Sequence, residues 1–482
     1  MITNIKSAVF TVADAYEIFG VEPGLLSEVM TAGLSRGGDF CELYFQYRHE
    51  SNLWLDDHLI RSGNAKILRG VGVRVLKGDQ TGFSHTAVLD RKSLLSAART
   101  AALVADSGIA GRPQPISSLF FPVNSFYPGG SASNDREALR DWLIALDERI
   151  YGIDSRVIKA NCYARVNHEK IFIVNSEGLA ACDDRPEFCV DANCIAEQKG
   201  RREENGYGYA IRQNQSQLMT AGLLEEVATE TVERTVKLFE AVEAFGGEMP
   251  LVLASGEGGI LVHEAMGHGF EADFIRKGMS IFAGRLGEMC ASPDVTIVDS
   301  GILLEQWGSL NFDDEGYPGE ETVLVENGRL TSWIHDRLSA RHFGCEPTGN
   351  GRRESYQFLP LPRMRTTYLR NGRHAKEEII ASIRKGIYAE QFTNGQVNIG
   401  PGDFTFYMKS GWLIEDGKLT RPIKDVNIIG NGPKVLAEIE MVGDDLQIFH
   451  RPGMCGKYGQ SVPVSFGMPT LKVKSITVGG RN

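Results

Sequence analysis

The sequence predicts an α+β protein in which an N-terminal mixed α/β region is followed by a large β-rich C-terminal domain. Glycine accounts for 54 of the 482 residues, well above the roughly 7% of an average protein. These glycines separate short segments in which apolar and polar residues alternate, a pattern typical of strands joined by turns. Helical spacing of apolar residues is concentrated in the first half of the chain. At about 150 residues per domain, the length favours two or three domains.

The first 105 residues contain both helical and strand patterns. Residues 25–34 have helical spacing, and residues 40–47 are typical of a strand. Alternating residues on both sides of the turn 77–80 predict a β-hairpin over 71–86. An Ala- and Leu-rich segment predicts a helix over 93–105.

Residues 106–134 are rich in Gly, Pro and Ser and predict a loop. Asn134, with Glu137 three residues later, is a capping signature that predicts a helix from there to about Tyr151. The loop is a candidate break between two N-terminal subdomains.

Residues 156–212 predict a meander of strands, including 157–164, 170–175 and 187–197, with the polar stretch 198–205 as a long hairpin tip. A clear helical pattern follows from Leu224 to Val242 and is expected to end at Gly246-Gly247. We therefore place the main boundary at residue 220. This gives an N-terminal α/β region at 1–220 and a β-rich catalytic domain at 221–482.

Charge and cysteine usage exclude several classes of protein. With 51 Lys and Arg against 62 Asp and Glu, the net charge is −11, which argues against a nucleic-acid partner and against binding to anionic lipid. No run of about 20 apolar residues predicts a membrane span, and the start of the sequence shows no signal-peptide pattern. None of the eight cysteines forms a C-x-x-C pair. We expect free thiols and a cytoplasmic location.

One motif contains residues that could bind a metal ion and act in catalysis. A predicted strand at 250–254 leads through a glycine-rich turn to His263, Glu264 and His268. This spacing is similar to the zinc signature H-E-x-x-H with one extra residue, in which two imidazoles bind the metal and the glutamate acts as general base. On a regular α-helix the two histidines would lie about 140° apart. They can converge only if the helix has a π-bulge or ends before His268, and Gly267 and Gly269 permit either.

The residues alone leave the third ligand open. A catalytic zinc usually has three protein ligands, and the candidates are Glu271, Asp273, His335, His342, His450 and the cysteines, among which Cys455 has small neighbours. Phosphate binding at the turn 256–259 is disfavoured, because the turn lacks the P-loop spacing and Glu257 would repel phosphate.

Several motifs together resemble the TldD/PmbA family, and specifically its metal-bearing type. They are G-V-G-V-R at 70–74, H-E-A-M-G-H-G at 263–269, D-D-E-G at 313–316, P-T-G-N-G-R-R-E-S-Y at 347–356, C-G-K-Y-G-Q-S at 455–461 and G-M-P-T-L at 467–471. They occur in the same order over nearly the whole chain.

The resemblance implies a zinc metalloprotease that acts on unfolded or extended peptides. In it, His263, His268 and Cys455 would bind the metal and Glu264 would be the general base. It also implies pairing with a homologous TldE (PmbA)-like sister subunit that lacks the metal motif, or with a second copy of the chain. The family is also labelled a modulator of DNA gyrase, which the negative charge does not support.

Three points stay open at this stage. A regulatory or scaffold protein with a structural metal site is the alternative to an enzyme, and a fourth protein ligand would favour it. Arg352 and Arg353 could contact a substrate backbone or carboxylate, although structural ion pairs are the simpler interpretation. Asp313, Asp314 and Glu315 could bind a cation, but we expect a solvated acidic loop.

Overall fold

The computed structural model describes residues 10–105, 111–118, 126–129, 135–398 and 400–479. The helices in these residues are α1 (Val12–Phe19), α2 (Pro23–Leu34), α3 (Arg91–Ala101), α4 (Arg136–Ile153), α5 (Gln215–Leu218), α6 (Ala221–Val236), α7 (Gly259–Ala265), α8 (Ala272–Arg276), α9 (Arg337–Phe343), α10 (Lys376–Ala381) and α11 (Gly432–Ala437). Single 3-10 turns lie at Ala102–Val104, Lys237–Glu240 and Gly267–Phe270.

The strands of the described residues fall into two halves of the chain. In the first half they are β1 (Phe40–Asp56), β2 (Leu59–Lys77), β3 (Gln80–Thr86), β4 (Ser117–Ser118), β5 (Val157–Asn175), β6 (Leu179–Gln198) and β7 (Arg201–Ile211). In the second half they are β8 (Gly247–Leu253), β9 (Ile297–Ser300), β10 (Glu321–Glu326), β11 (Arg329–Leu330), β12 (Gly351–Arg352), β13 (Leu361–Pro362), β14 (Thr366–Leu369), β15 (Lys385–Val397), β16 (Asp403–Glu415), β17 (Lys418–Asn431), β18 (Ile439–Val442), β19 (Gln447–Lys457), β20 (Gln460–Met468) and β21 (Leu471–Gly479). The predicted α+β class with a β-rich C-terminal part is confirmed.

The N-terminal sheet has the order β3-β2-β1-β5-β6-β4, and β7 also pairs with β6. Helices α1 to α3 cover one end of it through a core that includes Phe45 and Phe172. Helices α4 and α6 cover another part through Leu143, Val190 and Val227. On the opposite face, Tyr44 belongs to a cluster with residues from the second half of the chain. The predicted hairpin over 71–86 is confirmed as β2 and β3.

One strand is longer than its sequence pattern indicates. The two predicted strands at 157–164 and 170–175 are a single strand, β5. The polar residues between them stay in the sheet because they find partners there: Asn167 donates to Glu187 at 2.9 Å, and Glu169 accepts from Arg48 at 2.8 Å. The polar stretch 198–205 is likewise mostly strand, since β6 ends at Gln198 and β7 begins at Arg201.

The helix boundaries also differ from the predictions. Asp135 caps α4, accepting from the N–H groups of two first-turn residues. The predicted cap Asn134 lies outside the described residues, as do 106–110, 119–125 and 130–133 of the predicted loop. Thr220 caps α6, which ends at Val236, so the expected stop at Gly246-Gly247 was wrong. The division of the chain at residue 220 stays a prediction.

The C-terminal part contains two six-stranded sheets around one large core. The first has the order β17-β16-β15-β8-β21-β18, and an additional pairing of β17 with β21 closes five of its strands into a ring. The second has the order β11-β10-β9-β14-β20-β19, in which β14 and β20 are parallel. Strand β19 therefore lies at an edge of its sheet, and this edge is where the site is built.

The acidic turn at 313–315 is not solvated, which corrects the expectation. Asp313, Asp314 and Glu315 are all buried. Arg185 of β6 pairs with Asp314 at 2.6 Å, and Arg74 of β2 pairs with Glu315 at 2.6 Å. The turn therefore joins the N-terminal sheet to the second half of the chain by buried ion pairs.

All eight cysteines are free, as expected. None of the helices in the described ranges combines the length and the apolar character that crossing a membrane requires.

Candidate metal centre and its cleft

His263 lies on α7, a helix of seven residues that begins at Gly259 directly after the turn following β8. The helix packs closely on β20, because a Cβ atom on Gly259 would lie 2.6 Å from the backbone nitrogen of Gly467. The His263 side chain is buried, and its Nδ1 atom has no hydrogen-bond partner among the described residues. An unpaired buried ring nitrogen is costly unless it binds a ligand.

The second histidine converges with the first because the helix ends between them. Met266 has φ −134° and ψ −47°, which breaks α7, and His268 follows on the 3-10 turn Gly267–Phe270. Of the two distortions that the spacing allows, the structure has the helix end rather than the π-bulge. Met364 packs directly on Gly267, since a Cβ atom there would lie 2.0 Å from the Met364 sulfur and would force the methionine side chain to move.

Cys455 of β19 completes a cluster of three ligand-type atoms. One ligand atom from each of His263, His268 and Cys455 lies within 4.8 Å of the other two. The Cys455 Sγ is 3.5 Å from the His268 Nε2, and the two imidazole rings are 5.3 Å apart at an interplanar angle of 77°. All three side chains are buried. The residues alone left the third ligand open among five named side chains and the cysteines. In the structure, Cys455 is the candidate that lies beside the two histidines.

The charges of the cluster suit a soft metal ion. Burial alone raises the pKa of Cys455, but His268 and His263 outweigh burial and hold the pKa well below its usual value. Burial lowers the pKa of His268, and Glu271 and Cys455 outweigh this and raise it well above its usual value. A thiolate and two imidazoles are the ligands that zinc prefers in proteins. The donor set and the unpaired His263 nitrogen therefore fit a zinc ion.

Two of the candidate ligands, Glu271 and Asp273, form hydrogen bonds with other side chains. The Glu271 Oε2 is 3.0 Å from the His268 Nδ1 and 3.0 Å from the Lys457 Nζ. The Lys457 Nζ also donates to Asp273 at 2.6 Å. Burial raises the pKa of Glu271, but Lys457 and His268 outweigh it and bring the pKa to about 2. Glu271 is thus an ionised partner of His268 in the layer behind the ligands.

The remaining candidate histidines lie elsewhere. His335 contacts Ser339 and two aromatic rings, His342 pairs with Asp79, and His450 stacks on Tyr209. Lys457 was missed by sequence reasoning. Its position two residues after Cys455 on the same strand, and so on the same face, was the available signal.

Glu264 stands beside the cluster and faces solvent. Its side chain is 30% exposed, and its Oε2 is 4.0 Å from the His268 Nε2. It lines a cleft of about 310 Å³ between α7, β15 and the hairpin of β19 and β20. The cleft is lined by Glu257, Ile260, His263, Glu264, Phe392, Thr393, Phe449, Arg451, Pro452, Gly453, Met454, Val464 and Phe466. Glu257 pairs with Arg234, so the glycine-rich turn is held by an ion pair.

Comparisons with known proteins show the family to which the chain is related. Three models of the PmbA/TldA metallopeptidase match the chain: domain 1 at residues 41–105, the central domain at 130–239 and the C-terminal domain at 246–480. The metalloprotease TldD homolog of Haemophilus influenzae is 39% identical over 458 residues, covering 93% of this chain and 94% of that protein. The zinc metalloprotease TldD homolog of Saccharolobus solfataricus is 33% identical over 258 residues, covering 53% and 57%.

A solved structure shows the same fold. TldE from Thermococcus kodakarensis superposes with a TM-score of 0.72 at 18% identity, covering 95% of this chain and 100% of that one. The fold and these matches define the class of the protein, which is a metallopeptidase. The chain belongs to the PmbA/TldD family.

Proposed function

We propose that this chain is a zinc-dependent metalloprotease that hydrolyses peptide bonds in unfolded or extended peptides. The observation that carries the proposal is the convergence of His263, His268 and Cys455 within 4.8 Å, with Glu264 exposed in the adjoining cleft. These three residues would hold the metal. A bound zinc ion supplies a Lewis acid that polarises the scissile carbonyl and lowers the pKa of water.

The chain's own residues would carry out the proton transfers. Glu264 accepts a proton from the attacking water and delivers it to the nitrogen of the leaving amine. Glu271 holds the His268 ring by its Nδ1 atom, so that the Nε2 atom faces Cys455. Burial of both histidines and of the cysteine keeps bulk water from the ligands.

The edge position of β19 supports an extended substrate. The Gly453 and Cys455 carbonyl oxygens accept from Trp307 and Arg363, whereas Met454 and Gly456 are exposed. An unpaired strand edge offers main-chain groups to an added strand, and pockets beside it take alternate side chains. An unfolded segment can add to such an edge, whereas a folded domain cannot. We therefore expect flexible peptides to be cleaved and folded domains to resist.

Pairing with a homologous TldE (PmbA)-like subunit, or with a second copy, is part of the same proposal. The hairpin of β1 and β2 exposes Trp54, Leu59, Ile60 and Ile67, with Ile67 62% exposed. Apolar side chains exposed along one hairpin offer a surface on which a partner chain could pack. A cytoplasmic location is also proposed, since free thiols are typical of a reducing compartment.

The experiment that tests the proposal combines metal analysis with peptide cleavage. Purified protein is expected to contain one zinc per chain, and a chelator is expected to stop cleavage of an unstructured peptide. His263→Ala, His268→Ala and Cys455→Ala should each lose most of the zinc. A Cys455→Ala protein with a full complement of zinc would refute the proposed ligand set.

Glu264→Gln separates the catalytic role from a structural one. The change keeps the shape of the side chain and removes the base, which typically costs about 10²- to 10⁴-fold in rate. The variant should retain zinc and its melting temperature but cleave at least a hundredfold more slowly. Wild-type turnover with zinc bound would end the general-base assignment and favour a structural metal site in a scaffold protein.

A further inference from the structure

A second cavity borders the hairpin of β19 and β20, next to the metal cleft. We call it the arginine cavity: the buried Arg212, Arg352 and Arg353 form its inner part, and the exposed Lys66, Met454 and Ser461 line its outer part. Its volume is about 180 Å³, the space of about six water molecules at ~30 Å³ each. A cavity of this volume can hold one side chain or one chain terminus.

One fully buried cation of this cavity, Arg352, lacks a carboxylate partner among the described residues. Seven cationic and five acidic side chains line the cavity, and two carboxylates outside the lining, Glu42 and Asp183, pair with Arg353 and Arg185. In the described part of the chain Arg352 forms no ion pair, and its guanidinium donates to the carbonyl oxygen of Met364 at 2.6 Å. Burial and the positive charge of Arg212 lower the pKa of Arg352 to about 9, which leaves it protonated at neutral pH.

Two neighbouring arginines also have unused donors. The Arg212 Nη1 atom lies 3.3 Å from a Glu187 carboxylate oxygen without forming a hydrogen bond, and the Arg212 Nε atom has no hydrogen-bond partner among the residues described. Arg353 pairs with Glu42, as expected for a structural ion pair. Its Nε and Nη1 atoms have no hydrogen-bond partner among the described residues. Buried guanidinium groups with unused donors are well suited to a carboxylate, which accepts two parallel N–H bonds.

The cavity and the metal cleft share one strand. Met454 lines both, and it directly precedes Cys455. Val462, which pairs with Cys455 across the hairpin of β19 and β20, also lines the arginine cavity. A peptide added along this edge would pass both spaces, and its alternate side chains would point to opposite faces of the sheet.

We propose that the arginine cavity binds a carboxylate of the substrate peptide, close to the bond that is cleaved. The identification of the ligand as a peptide rests on the proposed function; the affinity for a carboxylate does not. Because the cavity is lined by Met454, which precedes Cys455, and by Val462, which pairs with it, the carboxylate belongs within a few residues of the scissile bond. It is either an Asp or Glu side chain or the C-terminal carboxylate, and both present the same group to the arginines.

A binding experiment on metal-free protein tests the cavity independently of catalysis. Three small probes are compared by calorimetry: acetyl-Glu-amide with only a side-chain carboxylate, acetyl-Gln with only a terminal carboxylate, and acetyl-Gln-amide with none. We expect at least one of the two carboxylates to bind tenfold tighter than the neutral amide. Arg352→Gln should remove that difference, and Arg212→Gln is the second variant if the first does not fold. Arg384→Gln, whose side chain is 95% exposed, is the matched control and should bind as wild type does.

A cleavage experiment places the carboxylate relative to the bond. Unstructured peptides with Glu or Gln at successive positions, each with a free or amidated C-terminus, are compared by kcat/KM. A tenfold preference for one carboxylate, lost in Arg352→Gln, is the expected result. Equal cleavage of all peptides together with equal binding of the three probes overturns the proposal. If none of the peptides is cleaved but the probes still bind, the result contradicts the proposed protease activity and supports the carboxylate site.

Discussion

Replacing Glu271 by Gln should weaken zinc binding although Glu271 is not a proposed ligand. Its carboxylate is fully buried and lies 3.0 Å from the His268 Nδ1. That contact fixes a proton on Nδ1 and leaves the Nε2 atom, which is 3.5 Å from the Cys455 Sγ, free to bind metal. Partners of this kind typically contribute 10- to 100-fold in metal affinity, or about 1.4–2.8 kcal/mol at 1.4 kcal/mol per tenfold.

The measurement is a zinc titration in competition with a chromophoric chelator of known affinity. Asp273→Asn is the matched control, because Asp273 contacts the same Lys457 at 2.6 Å and has no hydrogen bond to His268. We expect Glu271→Gln to raise the zinc Kd by 10- to 100-fold and Asp273→Asn to leave it within about threefold. An equal loss of zinc affinity in both variants would show that zinc binding depends on the negative charge around Lys457 and not on the orientation of His268. An unchanged Kd in Glu271→Gln would refute the reasoning outright.

Two further predictions concern glycine packing and pH. Gly267→Ala forces a Cβ atom to 2.0 Å from the Met364 sulfur, so it should lower stability by roughly 1–3 kcal/mol and reduce zinc content. Gly24→Ala in α2, where the Cβ meets nothing within 4 Å, should be neutral or slightly stabilising by melting temperature. Burial and Glu315 raise the pKa of Asp313 to about 8, so its stabilising contribution, complete below about pH 4, is lost as the pH rises to 8. In melting curves from pH 4 to 8, the wild type should therefore lose stability relative to Asp313→Asn, and a constant difference would contradict the raised pKa.

The sequence predicted more of the site's composition than of its geometry. The resemblance pointed to His263, His268 and Cys455, which the structure brings together. The residues alone could not select Cys455, because its approach to His268 spans 187 positions of the chain. The end of α7 at Met266 was one of two distortions compatible with the spacing, and local pattern does not distinguish them. A single helix break depends on what packs against it, here Met364 against Gly267.

Buried charge was the main source of wrong predictions. The polar segment within β5 and the acidic turn at 313–315 both have the composition of solvated loops. They are buried because their partners arrive from distant strands, as when Arg74 of β2 meets Glu315. Composition cannot show such pairing, since each half of an ion pair is polar on its own. Alternation of apolar residues, which is a local signal, correctly predicted the hairpin over 71–86.

The edge of β19 explains why a peptidase of this shape would need a charged cavity beside its metal cleft. The pairing of β19 with β20 shifts register between Phe449 and Gly453, and Pro452 in this bulge has no N–H to offer. The regular part of the edge is therefore short, running from Gly453 to Lys457. A peptide added there can form only a few main-chain hydrogen bonds, each with a modest net contribution. Charge-assisted bonds from buried arginines are stronger, so a carboxylate held in the arginine cavity beside the strand would fix the register that a short ladder leaves undetermined.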